Sequence, residues 1–214
     1  MSKQVVPGIH EFLRDYPRMA IKPVSVGSPV TLNGVFDFSA KSDNGKEITD
    51  SYSLRILVPA AFPRDIPEVT ETGHGIPRNG DYHVNPDGTL CLGSPLRLLW
   101  QLSLVPTLVG FAEKCLVPYL YAISYKLRFG ADLPFNELQH GTPGELSDYA
   151  DLFGLKEPEQ ARAALRLLTM KKHHANKDPC PCGCGRRLGK CSFNDKIRKF
   201  RELADRNWFK SLVS

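Results

Sequence analysis

Hydrophobic positions along the chain change period several times, and each change predicts an element. Residues 8–16 (IHEFLRDYP) set Ile9, Phe12 and Leu13 on one side of a short amphipathic helix. Between residues 20 and 69 the period drops to two. VTLNGVFDF (30–38) and ITDSYSLRILVP (48–59) predict strands, and Ser42-Asp43-Asn44-Gly45 between them is a strong hairpin signal. A third strand is expected at about 68–72, after AFPRDIP. Residues 73–95 carry many Gly and Pro and few periodic apolar positions, which predicts an ordered irregular loop. Helices are expected again at about 101–129, 143–153 and 158–171. Residues 176–192 form a cysteine-rich knuckle. Over 194–212, Ile197, Phe200, Leu203 and Trp208 fall near helical spacing and predict a single basic amphipathic helix. There is no internal repeat. Together these elements predict an α+β fold.

Composition narrows this only modestly. With 42% hydrophobic and 24% charged residues over 214 positions, the chain is neither disordered, collagen-like nor coiled coil. Charge is more informative. Residues 1–150 hold 13 Lys+Arg against 16 Asp+Glu, whereas residues 151–214 hold 15 against 7, so two parts with different tasks are expected. The first 17 residues lack the apolar core of a signal peptide. The most apolar stretch, 102–123, contains Pro106, Glu113, Lys114 and Pro118, which predicts a buried helix pair and not a membrane span. The expected location is the cytoplasm, where thiols stay reduced. Four of the six cysteines fall within twelve residues (Cys180, Cys182, Cys184, Cys191), so a metal site is expected there in place of disulfides.

The richest segment is Tyr82-His83-Val84-Asn85-Pro86-Asp87-Gly88-Thr89-Leu90-Cys91-Leu92. Cys91 follows an Asp-Gly turn pair, precedes an apolar residue and lies nine residues before Trp100. A thiolate nucleophile needs partial exposure and a nearby donor for a developing oxyanion, and the Asn85 amide could supply the donor. Asp87 makes the turn. Cys115, within an apolar helix, is a core residue. The glycines at 73, 75 and 80 do not fit dinucleotide-binding spacing.

Four motifs in order give this region a family resemblance: Phe62-Pro63-Arg64-Asp65-Ile66-Pro67, His83-Val84-Asn85, Gly88-Thr89-Leu90-Cys91-Leu92 and Trp100. Over roughly residues 5–125 the chain resembles ubiquitin-conjugating enzymes. That implies a UBC-like fold: an N-terminal helix, an antiparallel four-stranded meander, an active-site loop and C-terminal helices. It also implies that Cys91 accepts the carboxyl terminus of a ubiquitin-like modifier as a thioester from an activating enzyme and passes it to an amine on a target protein. Asn85 would hold the loop or stabilise the oxyanion, and His83 would bond to loop backbone. Val84 departs from the family's Pro. Beyond Trp100, Pro118-Tyr119-Leu120-Tyr121 and 134–141 (PFNELQHG) look like divergent bacterial conjugating enzymes, often associated with antiphage defence operons. There His140 could deprotonate the thiol or the incoming amine. A catalytically silent binding module of the same fold, or a cysteine hydrolase using Cys91 with His83 or His140, are the alternatives.

At the other end, residues 178–191 (DPCPCGCGRRLGKC) resemble the SEC-C zinc motif, Cys-x-Cys, eight residues, then Cys followed by His or Cys. Cys180, Cys182 and Cys191 match it; Ser192 stands where the fourth ligand is expected. Cys184 can complete a closed Cys₄ site, with His173 or His174 as alternatives for Cys₃His. One structural zinc per chain is implied. The basic residues around it suit a partner protein better than nucleic acid, which is not expected as a ligand. The expected organisation is therefore a conjugating-type catalytic domain over 1–155, a helical linker over 156–175 and a zinc module with a basic helix over 176–214.

Overall fold

The computed structural model describes residues 6–22, 29–41, 45–130 and 142–213. The chain divides into two compact units, Met1–Glu137 and Leu138–Ser214.

The first unit opens with helix α1 (Ile9–Asp15), which buries Phe12 against Tyr16 and Phe36. Four strands follow, β1 (Met19–Ile21), β2 (Val30–Ala40), β3 (Ile48–Val58) and β4 (Glu68–Glu71). They pair antiparallel in the order β1-β2-β3-β4, an uncrossed meander. Alternation sets the register: Val30, Leu32, Phe36 and Phe38 of β2 and Tyr52, Leu54, Ile56 and Val58 of β3 all face the core. Gly34 interrupts the inward row because β1 passes close by. A Cβ there would stand 2.1 Å from the Arg18 carbonyl oxygen. β1 itself is too short to show a period of two.

The apolar stretch beyond the loop forms helices α2 (Pro95–Leu104), α3 (Leu108–Phe111) and α4 (Val117–Phe129), with a π-helical turn at Ala112–Leu116 between the last two. The chain breaks at Val105-Pro106-Thr107, and the Thr107 side chain caps α3 by accepting from the Gly110 N–H. Pro118 has no N–H to offer the preceding turn, and there the Val117 N–H reaches back five residues to the Ala112 carbonyl. α4 lies across β2 and β3 and is tied to them by polar side chains. Tyr52 and Ser124 share a buried 2.7 Å hydrogen bond, and the Tyr121 hydroxyl donates to the Lys46 carbonyl at 2.8 Å. The α+β class and the antiparallel sheet are as the sequence predicts.

In the second unit α5 (Thr142–Phe153) and α6 (Pro158–Thr169) pack together, and α6 also receives α8 (Phe193–Leu203) and α9 (Arg206–Ser211). α6 starts at a reciprocal cap: the Glu157 side chain accepts from the third helical N–H, and the Gln160 side chain from the Glu157 N–H. Arg201 of α8 closes its other end by donating to the Leu167 and Met170 carbonyls. Phe153 and Phe200 meet edge to face at 4.7 Å. A short helix α7 (Lys172–Ala175) leads into the cysteine knuckle. The single tail helix expected over 194–212 is two helices. Asp205 caps α9 by accepting from the Asn207 and Trp208 N–H groups at 2.8 and 2.9 Å, and that local bond outweighs continuous helical spacing. Among the described residues, no helix is long and apolar enough to cross a membrane.

Candidate active-site loop and candidate metal centre

Residues 80–92 form a small self-bonded structure on the edge of the sheet. A 3₁₀ turn at Gly80–Tyr82 ends at His83, whose φ of 51° is left-handed. The chain then doubles back: Val84 and Leu90 bridge antiparallel, and Thr89 bridges to Thr70 of β4. The reversal at 85–88 is a tight turn in which the Asn85 N–H donates to the Thr89 carbonyl at 2.8 Å and the Gly88 N–H to the Asn85 carbonyl at 2.9 Å. Gly88 takes a φ of 84° that a side chain would resist. The Asp87 carboxylate accepts from both the hydroxyl (2.7 Å) and the N–H (2.9 Å) of Thr89, and these two bonds hold its carboxyl below the usual range.

Cys91 emerges from this loop partly exposed, four residues before α2 begins, with its N–H donating to the His83 carbonyl at 2.8 Å. His83 is thus bound to the nucleophile candidate through its backbone. Asn85 is exposed, and its amide donates to the Thr89 hydroxyl at 3.0 Å, which braces the loop. His140 lies outside the described residues, as does most of the predicted 42–45 turn. Cys115 is buried and its thiol is pushed up to about 12 by burial, the state of a packed and unreactive cysteine.

Two residues of α4 reach this loop, and neither is among the site residues predicted from the sequence. Tyr119 of α4 donates from its hydroxyl to the Tyr82 carbonyl at 2.8 Å, and Lys126 of α4 donates to the Asp81 carbonyl at 2.9 Å. Their partners lie 37 and 45 residues away in the chain, too far for any spacing rule to connect them.

In the second unit the knuckle gathers Cys180, Cys182, Cys184 and Cys191 so that all four sulfurs lie within 4.8 Å of one another. The Cys180 and Cys182 sulfurs are 3.2 Å apart and those of Cys182 and Cys191 3.7 Å. A metal ion bound tetrahedrally by thiolates at about 2.3 Å requires sulfur separations of about 3.8 Å, so the group could hold one metal ion with small adjustments. Neither His173 nor His174 joins this group; the two rings lie tilted against each other in α7, their centroids 3.9 Å apart. The knuckle is closed by backbone bonds. The Cys180 N–H donates to the Arg186 carbonyl at 2.9 Å, Pro179 bridges antiparallel to Arg187, and the Cys191 N–H donates to the Leu188 carbonyl at 3.0 Å. Gly183 and Gly185, at φ 78° and 72°, make the reversal that brings Cys184 round to the other three.

The four thiols are unlike in environment. Cys180 is buried, and burial drives its thiol well above the ordinary range. Cys184 is exposed, and the Arg186 backbone N–H foremost, with the Cys182 thiol next, pulls it down to about 6. Ser192 stands at the N-cap of α8.

Compared with protein-family models, curated proteins and solved structures, the chain has no match in any of the three.

Proposed function

We propose that the first unit is a ubiquitin-conjugating-type acyltransferase with a UBC-like fold, and that the second is a zinc-stabilised protein-docking module. The observation that carries the first part is the placement of Cys91: a partly exposed thiol at the mouth of a rigidly bonded loop, after a four-stranded meander and before a helical layer. The Cys91 thiolate attacks the thioester carbonyl joining a ubiquitin-like modifier to its activating enzyme, and that enzyme's thiol leaves. An amine of the target then attacks the new thioester, loses a proton and releases Cys91 as thiolate. Asn85 serves this chemistry by holding the loop through Thr89, and His83 by fixing the Cys91 backbone. A bacterial conjugation-type or antiphage operon in the cytoplasm is the setting that fits the resemblance.

The test is trapping of a thiol-sensitive adduct between the chain and a ubiquitin-like protein. Cys91→Ala should abolish it, Cys91→Lys should replace it with a thiol-resistant amide, and an adduct that survives in the Ala variant overturns the proposal. One observation favours the silent-module alternative: the Asn85 amide is engaged by Thr89 and not aimed at a free site. That alternative expects no adduct in the parent chain.

For the second unit, four thiolates form a soft, closed donor set suited to zinc. The knuckle at 176–191 is too short for a core of its own, and a bound metal would supply folding energy there. Metal analysis of protein purified without chelator should give about one zinc per chain; finding none refutes this.

A further inference from the structure

Three consecutive carbonyls just ahead of the nucleophile candidate each receive a donor. Asp81 O takes the Lys126 ammonium (2.9 Å), Tyr82 O takes the Tyr119 hydroxyl (2.8 Å), and His83 O takes the Cys91 N–H (2.8 Å). The first two donors come from one helix, α4, and sit seven residues apart, two turns along the same face. The same α4 is fastened to the sheet by the Tyr52–Ser124 hydrogen bond and by Tyr121 to Lys46. Lys126 also lies over the Tyr82 ring, 5.5 Å from its centre. The carbonyl row therefore cannot shift without breaking a bond to a rigid element, and Cys91 hangs from the end of that row.

We propose that Tyr119 and Lys126 are positioning residues for Cys91: an α4 clamp on the 81–83 carbonyls that fixes where the thiol stands and how much of it is exposed. Tyr119 is largely buried, so its hydroxyl meets little competition from water for the Tyr82 carbonyl. Burial foremost, and then the nearness of other ionisable groups, opposes ionisation of Tyr119, so the hydroxyl stays a proton donor throughout the neutral range. What the clamp does for catalysis rests on Cys91 being the acyl carrier. Its existence does not.

The experiment is alkylation of the full-length protein by iodoacetamide from pH 6 to 10, followed residue by residue by peptide mass spectrometry, with buried Cys115 as the internal reporter of global opening. Tyr119→Phe removes one hydroxyl and keeps the ring; Lys126→Met keeps the stem and removes the ammonium. Each should raise the Cys91 alkylation rate about three- to tenfold, the yield of releasing one hydrogen bond, and change its pH profile while Cys115 stays protected. Thr169→Val, which removes a hydroxyl-to-carbonyl bond in the second unit (Thr169 to Arg166, 2.8 Å), should leave Cys91 unchanged. Parent-like Cys91 rates in both Tyr119→Phe and Lys126→Met overturn the clamp, as does parallel acceleration of Cys91 and Cys115, which would mean general loosening. Failure of the parent to accept any ubiquitin-like modifier, with the alkylation pattern intact, would sink the acyltransferase reading and leave the clamp standing.

Discussion

Asp87 shows how much a single exposed side chain can organise. Its carboxylate takes two hydrogen bonds from Thr89, whose hydroxyl in turn takes the Asn85 amide, so three side chains fasten one turn. Because these bonds favour the ionised form, their stabilisation is complete above the unfolded carboxyl value of about 3.9 and is lost as pH falls through the lower folded value. The Thr89 amide resonance and its exchange protection should hold at neutral pH and change only below about pH 4; Asp87→Asn should show the acid-like signature at pH 7. Cys184 offers a second residue-level test. Cys184→Ser should sharply reduce metal retention, measured by competition with a chromophoric chelator, because hydroxyl is a poor partner for a soft ion; replacing His173 or His174 should not. The tight turn ahead of Cys91 and the grouping of the four clustered cysteines are legible in the sequence because turn residues and short thiol spacings are local. The contacts of Tyr119 and Lys126 are not, since they exist only once distant segments meet.

At the level of elements, hydrophobic periodicity succeeds where one face is buried over several turns or strand pairs. α1, β2, β3 and α6 lie within one or two residues of the predicted bounds, and each has a clear inward row. It fails where a local bond competes. The Asp205 cap splits the tail into α8 and α9, and Asp205→Ala should cost about 1 kcal/mol in denaturant unfolding, as loss of an N-cap does. β1 escapes notice because three residues carry no measurable period. α8 places Ile197 and Phe200 in the core of the second unit, while Lys196 and Arg201 bond to the Phe153, Leu167 and Met170 carbonyls. Its basic residues are thus partly structural. Phe200→Ala, which empties the edge-to-face contact with Phe153, should cost about 3–5 kcal/mol, read as a lower unfolding midpoint.

Over the whole molecule, charge follows the two compact units: residues 1–137 carry 13 Lys+Arg against 14 Asp+Glu, and residues 138–214 carry 15 against 9. Each unit holds one tryptophan, Trp100 in the first and Trp208 in the second, so single-tryptophan variants can follow them separately. If zinc folds the knuckle, chelation should lower the Trp208 transition by about 15–30 °C, the effect of losing a ligand present at a thousandfold its Kd, and leave the Trp100 transition in place. Acid should act in the same direction. The buried Cys180 thiol resists deprotonation, so metal affinity should drop about tenfold per pH unit for each proton displaced on binding. The uneven burial of the four thiols also bears on kinetics. Cys180 is buried and Cys182 and Cys191 are half-buried, whereas Cys184 faces solvent between two left-handed glycines. With a metal bound, an incoming chelator would therefore displace the Cys184 thiolate first while the other three cysteines hold. Metal exchange should be second order, its rate rising with chelator concentration and falling with chelator bulk, and should run far ahead of the unit's own unfolding.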